Sequence, residues 1–303
     1  MSRGVPAPRA AVARAAGARC APAWWDDAGD ALLARLVDHG LASDSGLRRR
    51  AQELVQEQAR ARGLQQGWRH WVAQGLGWSL PNPQRLALRL AAARQRKAAS
   101  IALDYVEVRR LQALLALRLE LQRPLRSDEQ IAGWRQEAGL ASAVDGGLAH
   151  TLVGMHAAAI DATRVRLASA RTELARAAGM PPGALQPLLA HLSWLPRLRP
   201  PAPCAACVAA GPAQADLAAA DARVAALRRL EPAAARTVAD ARSAYRLGTG
   251  GFADLYVAET AVLELRVATL DARAQAARAT IRLSAAGRLG CLRRQRPEHG
   301  HAD

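Results

Sequence analysis

Aromatic residues are nearly missing from this chain. Its 303 residues include seven Trp, three Tyr and one Phe, 4% in all. Strands draw on aromatic and β-branched side chains. Their scarcity, beside so much alanine and leucine, argues against an ordinary β-sandwich or α/β enzyme core. Cysteine is scarce too, and four in 303 residues do not make a disulfide scaffold. No apolar run reaches 18 residues, so no transmembrane helix is expected. No alternating period-2 segment of five residues or more stands out.

Lysine is all but absent. Lys97 is the only one among 42 basic residues, which face 26 acidic ones for a net charge of +16. Such a charge ordinarily points to nucleic acid or an anionic membrane surface. Here arginine accompanies alanine, glycine and proline along the whole chain. That composition is what GC-rich coding imposes on tolerant positions, and solvated helix faces account for it. The usual companions of nucleic-acid binding are missing. There is no zinc-finger spacing, no RNP-like aromatic strand and no basic region leading into a leucine zipper.

What remains reads as helix after helix, an all-α chain. Residues 1–23 form a basic arm of Arg, Ala, Pro and Gly without the apolar core of a secretory signal. Leu32, Leu33, Leu36, Val37 and Leu41 then recur on one helical face. Asp44 or Ser45 caps a second helix through Leu47, Ala51, Leu54, Val55 and Gln58. Residues 63–83 crowd glycine, Trp68, Trp71, Trp78 and proline into a linker-like segment. Residues 84–122 form a long helix that Pro124 is expected to end. Ser127 and Gln130, at capping-box spacing, restart a helix toward Gly139. A further long helix runs from about Asp145 to Ala178, closed by Gly179. A Pro-rich linker, residues 184–212, parts this first helical repeat, residues 24–183, from a second, residues 213–287. In the second, Pro232 separates helices 213–230 and 233–247, and the last helix runs from about Asp254 to Ala286. A basic, disordered tail is expected over residues 288–303.

The two repeats share a pattern. Gly139 precedes Asp145 by six residues, and Gly248 precedes Asp254 by six. Each Asp opens a long helix closed by glycine about 40 residues on, and each Gly follows a helical arm. An Asp at a helix start complements the positive end of the helix dipole. Leu255, Ala258, Val262, Leu265, Thr269, Ala272, Ala276, Ala279 and Leu283 step by threes and fours, a coiled-coil seam. The first repeat begins alike, with Leu148, Leu152, Met155, Ala159 and Ala162, then meets Arg166. The chain therefore reads as long antiparallel helical hairpins, coiled-coil and internally duplicated.

This pattern, Gly–Leu/Thr–four residues–Asp at the bend of a long hairpin and twice per chain, resembles TolC-type outer-membrane efflux proteins. The branch it is most similar to is the NodT-like group of RND efflux outer-membrane lipoproteins. Trp24-Trp25 with Leu32, Leu36 and Leu41 resembles that group's start, with Ala42-Ser43-Asp44 where the branch has Asn. Residues 171–179 followed by Pro181 resemble its helix end, and Tyr245 to Gly248 its approach to the second bend. The resemblance implies a homotrimer whose helical tunnel crosses the periplasm and continues as a β-barrel in the outer membrane. It implies a periplasmic adaptor docking at the hairpin tips, an inner-membrane RND-type pump beyond it, and export of small molecules. The tip residues would be Gly139, Leu140, Ser142 and Asp145, and Gly248, Thr249, Asp254 and Leu255. Cys20 stands where a lipid-anchored cysteine would, although Arg19 replaces the small residue expected before it. The family needs four barrel strands of about 9–11 residues per protomer. Only residues 63–83 offer room, so the outer-membrane strands read as mostly missing.

Nothing suggests catalysis, a metal or a cofactor. Cys204-Ala-Ala-Cys207 is a lone pair, whereas a structural zinc site takes four ligands. His39, His70, His150, His156 and His191 are scattered without a nucleophile to serve. Gly248-x-Gly-Gly lacks the preceding strand and following Lys of a phosphate loop. Two other readings remain open from the residues: a soluble coiled-coil scaffold, and an Arg-rich binder of nucleic acid or an anionic surface.

Overall fold

The computed structural model describes residues 23–65, 82–190, 195–200 and 211–294. The expectations for Cys20 and the basic arm, the Trp-bearing linker, the Cys204–Cys207 pair and residues 295–303 lie outside the described residues. Among those described there is no strand. Seven helices follow one another: α1 Ala31–Ser43, α2 Ser45–Gln65, α3 Pro83–Glu137, α4 Ala143–Ala178, α5 Pro182–Leu189, α6 Gly211–Leu247 and α7 Phe252–Arg294. No helix is long and apolar enough to cross a membrane among the described residues.

Two antiparallel hairpins, α3–α4 and α6–α7, make a shaft, and α7 lies along α3 to join them. At about 1.5 Å per residue, α3 alone is roughly 80 Å long. At the far end from the hairpin bends, α1 packs on α3 and α4, α2 on α3, and α5 on α4. The main core sits there, around Leu33, Leu36, Ile101, Tyr105, Leu174 and Leu189.

Helix α1 forms as its periodicity predicts. Leu32, Leu33, Leu36, Val37 and Leu41 are all buried. Asp30 caps it, accepting from the N–H groups of Leu32 and Leu33 at 3.0 Å each. Trp24 and Trp25 pack edge to face in the same core. Asp44 is the cap of α2, accepting from Leu47 N at 2.9 Å. Val55, expected on the apolar face of α2, is instead 61% exposed. Gly40 permits the close crossing of α1 over the hairpin. A Cβ there would meet Ile101 Cδ1 at 2.4 Å and the Ala178 backbone at 3.1 Å. His39 Nδ1 and Ser43 Oγ share the Ala178 carbonyl, which ends α4.

Three boundaries differ from the sequence reading. Pro124 does not end a helix; α3 runs through it, so Ser127 and Gln130 lie mid-helix and cap nothing. Pro232 likewise sits inside α6 rather than between two helices. An internal proline loses one ladder hydrogen bond and costs about 3 kcal/mol. Strong helix formers on both sides and packing along the shaft outweigh that cost. The linker, in turn, contains α5, whose Leu185 and Leu189 are buried in the main core. The last helix continues to Arg294, into the stretch read as a disordered tail.

Of the α7 seam, Leu255, Ala258, Val262, Thr269, Ala272 and Ala279 are buried, and Leu265, Ala276 and Leu283 half-buried. A second stripe, Ala274, Ala277 and Ile281, joins the main core with α3. Ion pairs tie the same two helices in antiparallel order. Arg266 meets Glu120, Asp271 meets Arg110, and Arg278 meets Glu107. Burial would raise the Glu107 carboxyl, but Arg110 and Arg278 prevail and hold it below its ordinary value.

Helix α4 corrects the seam read for the first repeat. Its buried positions are Ala149, His156, Ile160, Thr163, Leu167, Ala170 and Leu174. Arg166 is exposed and interrupts nothing. The run Leu148, Leu152, Met155, Ala159, Ala162 straddles two stripes. The inner one faces α3, where His156 Nε2 meets the Arg118 carbonyl at 2.7 Å.

Candidate functional site

The two hairpin ends are the same structure built twice, 109 residues apart. At the first, Gly139 has φ +71° and Leu140 N donates to Arg135 O at 2.7 Å, Gly139 N to Gln136 O at 3.0 Å. At the second, Gly248 has φ +79° and Thr249 N donates to Ala244 O at 2.9 Å, Gly248 N to Tyr245 O at 3.1 Å. Each is a left-handed glycine cap that satisfies the last carbonyls of the incoming helix. The next residue repeats too: Ala141 N bonds Arg135 O, and Gly250 N bonds Ala244 O. The shared Gly and Asp offsets in the sequence therefore mark a real structural repeat.

The helix starts differ. Ser142 caps α4, accepting from Asp145 N at 3.2 Å, and the Asp145 carboxylate returns to Ser142. This is a capping box, so Asp145 is its third-position partner rather than the cap. Gly251 stands where Ser142 stands in the first repeat, and Asp254 lies in the first turn of α7. Thr249 Oγ1 donates to Ala244 O at 3.2 Å.

A small apolar cluster, separate from the main core, holds the two ends together. It contains Ala132, Ala149, Tyr245, Phe252 and Leu255. The chain's one phenylalanine is spent here, stacked edge to face on Tyr245 at 5.6 Å. Arg135 of the first hairpin lies over the Tyr245 ring at 5.0 Å and donates to the Tyr245 carbonyl at 2.6 Å. A cation is thereby placed at the negative end of α6. Leu255 is fully buried in this cluster, so its side chain is not offered to a partner.

The outer surface of the ends is apolar. Leu140 is 71% exposed, Val144 76%, Leu247 77% and Trp134 64%. Trp134, Val144 and Leu247 escaped the sequence reading because they fall off the motif. Four exposed apolar side chains together at the two bends are the signal that marks them. Among the described residues no cluster of His, Cys, Asp or Glu is arranged to hold a metal.

The glycines set the bends. Valine at 139 or 248 is expected to cost about 1–2 kcal/mol each, because a β-branched residue resists the left-handed region. Chemical denaturation followed by circular dichroism reads this directly. A loss below 0.5 kcal/mol (about RT) at both sites would show that the bends do not need glycine.

No known family profile and no curated protein matches the sequence. Solved structures do match the fold. The outer-membrane channel OprN aligns with TM-score 0.72 at 14% identity, covering 88% of this chain and 92% of its own. CusC, whose structures describe transmembrane channel formation, aligns with TM-score 0.70 at 12% identity, covering 89% and 95%. The outer membrane protein VceC from Vibrio cholerae aligns with TM-score 0.66 at 14% identity, covering 88% and 98%. All three are TolC-family channels. The chain has the all-helical tunnel fold of TolC-type outer-membrane channels, without strands among its described residues.

Proposed function

We propose that this chain is a TolC-like efflux component: three copies form a helical periplasmic shaft at the outer membrane, and their hairpin ends dock a periplasmic adaptor. An inner-membrane RND-type pump would feed small molecules through that assembly, and the chain itself would catalyse nothing. The observation that carries this reading is the pair of matching bends, held side by side and crowned by exposed Leu140, Val144 and Leu247. A bare apolar end on a charged shaft suits a protein partner.

The shaft also supports assembly. On the solvent side of α4 a second stripe runs through Thr151, Met155, Ala158, Ala162, Val165 and Ser169, in alternating steps of four and three. All six are exposed within the chain, and none is charged. That is the spacing of a coiled-coil seam, with side chains small enough for a neighbouring helix to approach. The inner stripe of α4 serves α3; the outer one suits a helix of another copy. Cell fractionation tests the location. The protein is expected with the outer membrane, and a purely cytosolic pool would overturn the reading.

A further inference from the structure

Two to three turns behind the bends lies a buried charge cluster that the duplication does not explain. Asp128 belongs to α3 in the first hairpin; Arg242 and Glu259 belong to α6 and α7 in the second. Asp128 is 1% exposed and Glu259 7%. Arg242 donates to the Glu259 carboxylate through Nη2, and its Nε lies 3.6 Å from Asp128 Oδ2. Both Asp128 oxygens are buried and accept no hydrogen bond. The positions 109 residues away hold Thr237, Gly133 and His150, so the trio exists once and spans the two hairpins.

Its charge count is unbalanced. With both carboxyls ionised the buried trio carries −1; with both protonated it carries +1; with one proton it is neutral. A buried net charge is expensive unless compensated, so the one-proton state fits this site best. The other charged and titratable groups around it are Arg246 and Tyr245 on α6, Arg135 on α3 and Asp145 on α4.

We propose that Asp128 and Glu259 hold one proton between them, and that this proton keeps the end of the second hairpin against the first. The two carboxyls titrate as a pair, in two steps that belong to neither alone. Burial raises both above ordinary carboxylate values, against the opposing pull of Arg242. Folded values above unfolded ones mean that the stabilising contribution is present at low pH and lost as pH rises through the folded values. In strong acid the second proton arrives, Arg242 loses its anion, and the tie weakens from the other side. The tie stands on the packing of the hairpin ends alone, not on the efflux reading.

Pulsed electron paramagnetic resonance tests it in the full chain. Spin labels go on Leu140→Cys and Leu247→Cys, both exposed, with the four native cysteines replaced by serine. Between pH 6 and pH 9 the short inter-label distance is expected to give way to a longer, broader one. Glu259→Gln is expected to keep the short distance over the whole range, because an amide stays neutral. Asp128→Asn is expected to do the same and guards against a defect peculiar to one variant. Helicity measured over the same range separates hairpin parting from unfolding. A flat profile in the unsubstituted trio overturns the proposal. So does an unchanged pH response in both variants, or a distance change that only tracks loss of helix.

Discussion

Tyr105→Ala is expected to lower the unfolding free energy by about 3–5 kcal/mol, the range for emptying a large core site. Tyr105 is fully buried at the crossing of α1 and α3. Its hydroxyl donates to Asp30 Oδ2 at 2.8 Å, and Asp30 is the residue that caps α1. The same hydroxyl accepts from Arg109 Nε at 3.0 Å, and the Arg109 guanidinium lies 5.0 Å from the ring centre. Arg109 is 1% exposed. Truncation therefore opens a cavity, loosens a helix cap and removes a partner of a buried cation at once. Tyr105→Phe keeps the ring and loses only the hydroxyl, so about 1–3 kcal/mol is expected. Denaturant titration followed by circular dichroism measures both. A loss under 1 kcal/mol (on the order of one net hydrogen bond) for Tyr105→Ala would show that the main core does not depend on this crossing.

Glutamate at two positions of the outer α4 stripe, Met155→Glu with Val165→Glu, is expected to abolish assembly while leaving the single chain folded. Both side chains are exposed within the chain, at 64% and 71%. Surface substitutions away from packed features usually change stability by less than about 0.5 kcal/mol. In a ring of copies the same positions would lie in a seam, and each new carboxylate would be desolvated without a partner. A symmetric ring repeats that penalty at every contact. Light scattering is expected to show monomers with unchanged helicity. If the double variant assembles like the parent, the outer stripe is not the contact.

Much of this architecture is legible in the residues, and the failures have physical causes. Gly139, Asp145, Gly248 and Asp254 betray the repeat because a left-handed bend admits few residues and a helix start favours a carboxylate. Asp30, Leu33 and Val37 announce α1 through cap and period. Pro124 and Pro232 mislead because a local cost of one hydrogen bond is judged without the shaft that outweighs it. The α4 seam misleads because one helix carries two apolar stripes a residue apart, and a single-period reading merges them. The trio of Asp128, Arg242 and Glu259 is invisible in sequence, since its members are more than 100 residues apart and share no motif. The charge of +16 proved a poor guide to partners. Arg110, Arg135, Arg242, Arg266 and Arg278 are engaged inside the fold, with carboxylates, a ring or a carbonyl. Scarce aromatics proved a better guide: with no strand among the described residues, the single phenylalanine serves the joint between hairpins instead.

The central claim is export through an assembly that this chain completes, and drug susceptibility of a deletion strain tests it most directly. Deletion is expected to raise susceptibility and intracellular accumulation for part of a panel of small antimicrobials. The intact gene is expected to restore resistance, and a folded Leu140→Asp, Leu247→Asp variant is not. Unchanged susceptibility and accumulation across the panel on deletion would contradict the account.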